Sequence, residues 1–311
     1  MNPNLDCTIV LLSYNSLQVT DTCLGKIEAA IADSKKVINN TVKVIVVDNA
    51  SKDGSAAMIA EKYPWVHLMA LPENIGYARG NNLAMQAVDT PYMLLMNSDT
   101  YINPDSITKI FQKMIERTEC DALVSKCFYA DGRFQFYGGF LPSPRRIVTW
   151  AFGMESVPVI KRYIQKIYRF NDEFYNHEGI MQWCPPCFFL LKTAVYTKTG
   201  GFDEDLFFHM VDAEWCHRIH ANGFVLGYTP TVPVIHLGGA SSKNIQDKLL
   251  QDNFKGLAHF CKKHYPTQAK MVLTLVRAGL YLRSGFYRLI GKQNLSELYA
   301  LIARDISAEI K

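Results

Sequence analysis

This sequence predicts an α/β fold built on a doubly wound, mostly parallel sheet with a helical appendage at its C-terminal end. Two observations predict it. Short β-branched or apolar runs alternate with segments of helical length over residues 8–96, the pattern of successive strand–helix–strand units. Polar clusters fall at the ends of those runs: Ser13-Tyr14-Asn15, Asp48-Asn49-Ala50-Ser51 and Asn97-Ser98-Asp99. In such sheets ligands bind beyond the carboxyl ends of the strands, so the clusters mark one candidate site.

The elements follow in order. Residues 8–12 read as a strand and a helical pattern runs on to about Ala32. Residues 42–47 are a β-branched strand ending at Asp48, and Asn49 to Gly54 are dense in turn formers. A helix over 55–62, a strand over 66–70, a helix from Gly76 to about Val88 and a strand over 92–96 complete this half. Beyond it, 121–139 predicts a strand and hairpin with Ala130-Asp131-Gly132-Arg133 as the turn. Residues 142–179 are irregular and aromatic, with Arg145, Arg146, Lys161, Arg162, Lys166 and Arg169, and read as an insertion. A strand over 188–192, a helix over 212–222 and two short strands over 225–228 and 232–236 follow. From Asn244 the chain reads as helical. The expected division is a catalytic unit over 1–242, with halves of about 1–100 and 101–242, and a tail over 243–311.

The net charge of +4 is too small to argue for a nucleic-acid partner. The charge is local instead: residues 255–292 hold eight Lys and Arg and no Asp or Glu. The eight cysteines are scattered, residues 1–7 are polar, and no apolar run has the length of a membrane span, ~18 residues or more. These features lead to the expectation of free thiols in a reducing, cytoplasmic compartment.

Two acidic positions stand out as chemistry. Asp212 opens a predicted helix after Gly201-Phe202-Asp203, and a carboxylate there can take a proton from an attacking hydroxyl. Asp99 ends an apolar strand, and His236 ends another 24 positions after Asp212. An imidazole at such a place can help hold a divalent cation.

Taken with Val46-Val47-Asp48-Asn49-Ala50-Ser51-Lys52-Asp53-Gly54-Ser55, Asn74-Ile75-Gly76-Tyr77-Ala78-Arg79-Gly80-Asn81-Asn82, Asp212 with Arg218, and His236-Leu237-Gly238-Gly239-Ala240-Ser241, the chain resembles the inverting glycosyltransferases of family 2, which have the GT-A fold. The resemblance covers about residues 6–242 and is closest in pattern to the bacterial rhamnosyltransferase and galactofuranosyltransferase branch, which builds surface polysaccharides on lipid carriers. It implies a nucleotide-sugar donor, dTDP- or UDP-linked, and Mg2+ or Mn2+, which suit oxygen ligands and substrate phosphates. It implies that Asp99 and His236 hold the metal and that Asp212 is the general base. It implies that Ser13, Asn15, Asp48, Asn74, Gly76, Arg79, Asn82, Asn97 and Asp99 surround the donor, with Asp48 at the base. Trp183, Glu214 and Arg218 are candidates for the acceptor side. The chain departs from the family pattern at Val211, where an acidic residue usually precedes the base. The expected reaction moves a sugar, rhamnose or another hexose or galactofuranose, to a hydroxyl of a lipid-linked saccharide.

Plainer readings stand beside these. Asp48 and Asp53 can close a turn and cap a helix, Asn97 and Asp99 can cap a helix near Pro104, and Asp212 can be an N-cap. His236 can be a satisfied strand-end histidine. Cys184-Pro185-Pro186-Cys187 has no second pair at metal-binding spacing and reads as structural. Arg145-Arg146 reads as a solvated pair or as a contact for an acceptor pyrophosphate. In the tail, Lys270, Thr274, Arg277, Tyr281, Ser284 and Arg288 recur at helical steps, with Met271, Val272, Leu275, Leu282, Phe286 and Leu289 filling the remainder and Arg283 left to snorkel. Such a helix fits an anionic membrane interface, the catalytic unit or a second copy of the chain. A nucleotidyltransferase would need a Gly-rich basic loop after the first strand, which Ser13-Tyr14-Asn15-Ser16-Leu17 lacks. A non-catalytic sugar-nucleotide scaffold is the remaining alternative, kept open by Val211.

Overall fold

The computed structural model describes residues 4–135, 138–154, 167, 173–206, 210–238 and 246–310. Lys161, Arg162, Lys166 and Arg169 of the expected insertion, and the Gly239-Ala240-Ser241 end of the last motif, lie outside the described residues.

Four strands form the N-terminal half: β1 (Cys7–Ser13), β2 (Val42–Asp48), β3 (His67–Ala70) and β4 (Tyr92–Asn97). All their pairings are parallel, in the order β3-β2-β1-β4. Helices α1 (Leu17–Val37), α2 (Ser55–Lys62) and α3 (Tyr77–Gln86) make the crossovers. Alternate residues of each strand enter opposite cores, as the two-residue side-chain period requires. Ile9 and Leu11 pack on one side with α1, α2 and α4 (Ser106–Glu116), while Val10 packs on the other side. Helix α3 lies close on β1 because Gly80 has no side chain: a Cβ there would meet Leu12 at 2.5 Å.

The sheet continues through β8 (Phe188–Lys192), β6 (Ala122–Phe128), β9 (Leu226–His236) and the two-residue β5 (Thr100–Tyr101), with β7 (Gly179–Ile180) beside β9. This half is mixed: β8 runs antiparallel to both β4 and β6, whereas β6 and β9 are parallel. The two short strands expected over 225–228 and 232–236 are one strand, β9. Its pairing with β6 jumps from Ser125–Thr229 to Cys127–Val234. Pro230 and Pro233 sit in that jump, where a strand residue without an N–H is tolerated. The hairpin after β6 forms as expected, with Gly132 N–H donating to Tyr129 O and Gln135 N–H to Cys127 O.

Helices α5 (Pro144–Ala151), α6 (Thr193–Thr199) and α7 (Val211–Ala221) precede a tail of α8 (Gln246–His264), α9 (Pro266–Leu289) and α10 (Gln293–Glu309). The tail shares one core with the sheet: Phe254, Leu257, Val276 and Ile302 belong to the same buried cluster as Val10, Leu95 and Trp215. Arg283 does not snorkel outward. Its guanidinium donates to the Trp150 carbonyl and to the Tyr299 hydroxyl.

Candidate active site

The parallel register brings the three polar clusters side by side. Ser13 pairs with Asp48 across β1 and β2, and Leu12 pairs with Asn97 across β1 and β4. The ladder between β5 and β9 then does what sequence spacing cannot: Thr100 pairs with His236, and Leu237 N–H donates to Asp99 O at 3.1 Å. Asp99 Oδ1 lies 3.2 Å from His236 Nε2.

A second group fixes that imidazole. Gln135 Oε1 sits 3.0 Å from His236 Nδ1. An amide oxygen only accepts, so Nδ1 carries the hydrogen and Nε2 presents its lone pair. Asn97 Nδ2 donates to that lone pair at 3.1 Å. The Asp99 carboxylate faces the same nitrogen, an arrangement relieved by a cation beside the two or by a proton on Nε2. Two ligands about 2.1 Å from one octahedral ion and at right angles to each other lie about 3 Å apart, close to the 3.2 Å found. The residues present therefore fit a divalent cation. Asp99 caps no helix: α4 starts later, with Asp105 at its N-cap position.

Asp212 is the second residue of α7, after Met210, which takes a left-handed conformation at φ 70°. It is not the N-cap. A non-glycine residue held in that region is a strained position of the kind that clusters at functional sites. Its Oδ1 is buried and has no hydrogen-bond partner. Burial pushes the Asp212 carboxyl up to about 7. Val211 beside it is buried in the core.

Asp99 and Asp212 are linked through two groups that feel the charge of both. Burial raises the Tyr77 phenol, and the charges of Asp212, Cys187 and Asp99 add to the shift. Burial likewise raises the Cys187 thiol, with Cys127, Asp99 and Asp212 adding. Both carboxylates thus act on the same two groups, and Cys187 also accepts from Asn97 Nδ2 at 3.6 Å. Tyr77 and Gln135 were missed as site residues by sequence reasoning. Tyr77 lay inside a quoted motif, while nothing local marked Gln135. All eight cysteines are buried and free.

Among the residues expected around a donor, Asp48 is buried, with Oδ1 accepting from Ser51 N–H at 2.9 Å and Oδ2 buried without a partner. Asn49 reaches across to Asn74 Oδ1 at 2.9 Å and accepts from Ile75 N–H at 2.9 Å. Gly76 follows at φ 88°, which favours glycine. Asn15 accepts from Lys52 N–H at 2.8 Å and so ties the first loop to the second. Ser13 is buried in a chain of hydroxyls with Ser16 and Thr20. Asp53 does cap, accepting from Leu17 N–H and from Ser55. Arg79 is exposed, 3.5 Å from Glu204. Asn82 clamps the loop before α7 by bonding both the N–H and the carbonyl of Phe202.

The residues expected on the acceptor side have other partners within the fold. Glu214 is fully buried and holds Arg218 Nε, Lys263 Nζ and His264 Nε2. Burial alone would raise its carboxyl, but the bonds from His264, Arg218 and Lys263 outweigh it and hold it far below the usual carboxylate range. Arg218 also donates to the Thr199 and Gly201 carbonyls. Glu214 thus joins α7 to α8, and Arg218 joins α7 to the end of α6 and the loop after it. Trp183 is buried, its indole donating to Ile167 O at 3.1 Å. Arg146 donates to Leu141 O and lines a cavity of about 400 Å³ with His217, His220 and Tyr265, on a different face of α7. Asp203, Asp205 and His259 come within 4.8 Å of one another, but Asp203 already holds the Lys263 ammonium at 2.7 Å.

The mycobacterial N-acetylglucosaminyl-diphospho-decaprenol L-rhamnosyltransferase of Mycobacterium tuberculosis is 24% identical over 224 residues, 68% of this chain and 71% of its own. The rhamnosyltransferase WbbL of Escherichia coli is 22% identical over 58% of this chain and 67% of its own. Among solved structures, S. aureus TarS superposes with a TM-score of 0.59 at 14% identity over 98% of this chain, which spans about half (49%) of that longer one. The mannosyltransferase PcManGT of Pyrobaculum calidifontis, in complex with GDP-Man and Mn2+, gives 0.54 at 15% identity over 97% of this chain and 88% of its own. These structural likenesses show a GT-A-like fold. The profile of the family described as glycosyl transferase family 2 matches residues 8–195, and the chain belongs to that family.

Proposed function

We propose that this transferase moves a sugar from a nucleoside diphosphate to a hydroxyl with inversion, using Asp212 as the base. The carrying observation is the desolvated, unpartnered carboxylate of Asp212 acting on the same Tyr77 and Cys187 as Asp99. The acceptor hydroxyl gives its proton to Asp212 as its oxygen bonds to the anomeric carbon. The bond from that carbon to the diphosphate oxygen breaks on the opposite face, and the nucleoside diphosphate leaves. A base with a pKa near the working pH suits this step. A divalent cation held by Asp99 and His236 would neutralise charge developing on the diphosphate. Gln135 orients the imidazole, the Asn97 amide would give up its bond to Nε2 to the cation, and the unpartnered Asp48 Oδ2 is an acceptor for the ring N–H of uracil or thymine.

The relatives support the finer reading. The names of the mycobacterial and E. coli relatives specify rhamnose transfer, and one of them specifies a lipid diphosphate acceptor. TarS has been solved with UDP-GlcNAc. We therefore assign a dTDP- or UDP-sugar donor, with rhamnose first, and a lipid-linked saccharide acceptor in surface polysaccharide synthesis.

The test is a thermal-shift panel of nucleotide sugars with Mn2+, since a ligand bound only by the folded state raises Tm by about RT ln(1 + [L]/Kd). A dTDP- or UDP-sugar is expected to raise Tm, and more so with Mn2+ than with EDTA. Failure of all of them while another ligand class succeeds would overturn the donor. Donor hydrolysis equal in the natural protein and in Asp212→Asn, with no transfer to any acceptor, would favour the scaffold.

A further inference from the structure

Helix α9 has two apolar faces, and the fold uses only one of them. Ala269, Val272, Leu273, Val276, Gly279 and Leu280 are buried against the body of the protein. Met271, Leu275, Leu282, Phe286 and Leu289 point the other way, with 59%, 39%, 63%, 58% and 88% of their surface exposed. Their spacing, with exposed Ala278 and Gly285 between them, follows steps of three and four and so forms one stripe along the helix. At 1.5 Å per residue the stripe is about 27 Å long. An exposed apolar strip of that length on a folded protein marks an interaction surface.

The charges beside the stripe narrow its occupant. Lys270, Arg288 and Lys292 are exposed and Arg277 is partly so. No Asp or Glu stands between Asp252 and Glu297. Arg283 is turned inward to Trp150 and Tyr299 and takes no part. A second copy packed on this face about a two-fold axis would lay α9 against its own copy, parallel or antiparallel. Either way cations of one helix come against cations of the other, with no carboxylate on either helix to offset them. A surface carrying fixed negative charge over an apolar layer complements both features at once.

We propose that α9 docks in the headgroup region of an anionic lipid bilayer, lying in its plane, with Leu282, Phe286 and Leu289 entering the acyl boundary. Lys270, Arg277, Arg288 and Lys292 then meet the lipid phosphates. This is interfacial binding: among the described residues no helix is long and apolar enough to cross a membrane. The geometry is that of an amphipathic helix held at the interface by apolar area plus charge. The inference does not rest on the transferase reading, because neither the carboxylate pair nor a sugar enters the argument.

The experiment is flotation of the full chain with vesicles of phosphatidylcholine containing phosphatidylglycerol, and with phosphatidylcholine alone. The natural protein is expected to float with the anionic vesicles and at least about tenfold less with the neutral ones. Each cation at the surface contributes about 1 kcal/mol, roughly fivefold, so Arg288→Glu with Lys292→Glu is expected to weaken binding more than tenfold. Leu282→Asp with Phe286→Asp is expected to abolish it while Tm stays within a few degrees, since both side chains are exposed. The proposal is overturned if the natural protein floats with neither vesicle, or if the apolar double variant floats as well as the natural protein. A dimer that the apolar double variant converts to monomer, with no vesicle binding by either protein, assigns the face to a second copy and also overturns it. The thermal shift with a nucleotide sugar, run without vesicles, keeps a failure here distinct from a failure of the transferase reading.

Discussion

A carboxyl held near neutrality by burial suits a base and is also a cost to the fold, and Asp212, the proposed base, carries that cost. Its pKa is about 3.8 unfolded and about 7 folded, so the folded state holds the proton more tightly. Stability from this group is therefore fully present below pH 3.8 and is lost as pH rises through 7, up to about 4 kcal/mol for ~3 pK units. Asp212→Asn is expected to raise Tm by several degrees at pH 8 and by almost nothing near pH 4, read by calorimetry. The same variant should cut sugar transfer by roughly 10²–10⁴, and the natural protein's kcat/KM should climb with pH and level off above about 7. Stabilisation without loss of transfer would place the base elsewhere. The imidazole of His236 makes a second residue-scale case. Its Nδ1–H is held by Gln135, and groups that orient a ligating histidine are worth about 10–100-fold in metal affinity. Gln135→Leu is expected to weaken Mn2+ binding by that factor in calorimetric titration with UDP present, leaving nucleotide binding in EDTA unchanged.

The element that matters most is α7, because it carries Asp212 near its start and a buried ion cluster just beyond. Glu214 joins Arg218 of the same helix to Lys263 and His264 of α8. Lys263 also holds Asp203, at 2.7 Å, in the loop that leads to α7. The tail is thus fastened to the helix of the proposed base, two residues from Asp212. Because the Glu214 carboxyl lies far below its ordinary value, its contribution is complete above about pH 4.5 and is lost as pH falls. Removing one member of a buried charge group costs about 3–5 kcal/mol. Glu214→Gln is expected to lower stability at pH 7 by about 3 kcal/mol in urea unfolding and to speed proteolysis within α8. The difference should shrink toward pH 3. A Glu214→Gln protein with unaltered stability, but weakened acceptor binding, would restore Glu214 to the acceptor side.

Across the whole molecule the tail helices complete the core. Phe254, Phe260, Cys261, Val272, Leu273 and Leu280 are buried, several of them in the cluster that covers one face of the sheet. Each large apolar side chain uncovered costs about 1.5–3 kcal/mol, and domain stabilities are only about 5–15 kcal/mol. A chain ending at residue 245 is therefore expected to be insoluble or molten, with no cooperative unfolding transition. A truncated protein that unfolds cooperatively and still shifts with a nucleotide sugar would show the tail to be an independent unit.

What the sequence by itself determined is the part written in local periods. The strand–helix alternation gave the parallel half, the turn residues Ala130–Arg133 gave the hairpin, and the tail read as helical without its division into three helices. The turn formers after each strand marked the loops at the site. The order of those loops along the chain was enough to recognise the family. Tertiary structure decided what depends on pairing distant segments. The β5–β9 ladder sets His236 beside Asp99, and the hairpin delivers Gln135 to the imidazole. Glu214 is spent on a buried cluster because α8 folds back onto α7. The apolar residues of α9, one population in the sequence, split into a buried face and an exposed one. A helical period tells which residues share a face but not what lies against it, and that contact decides both burial and charge.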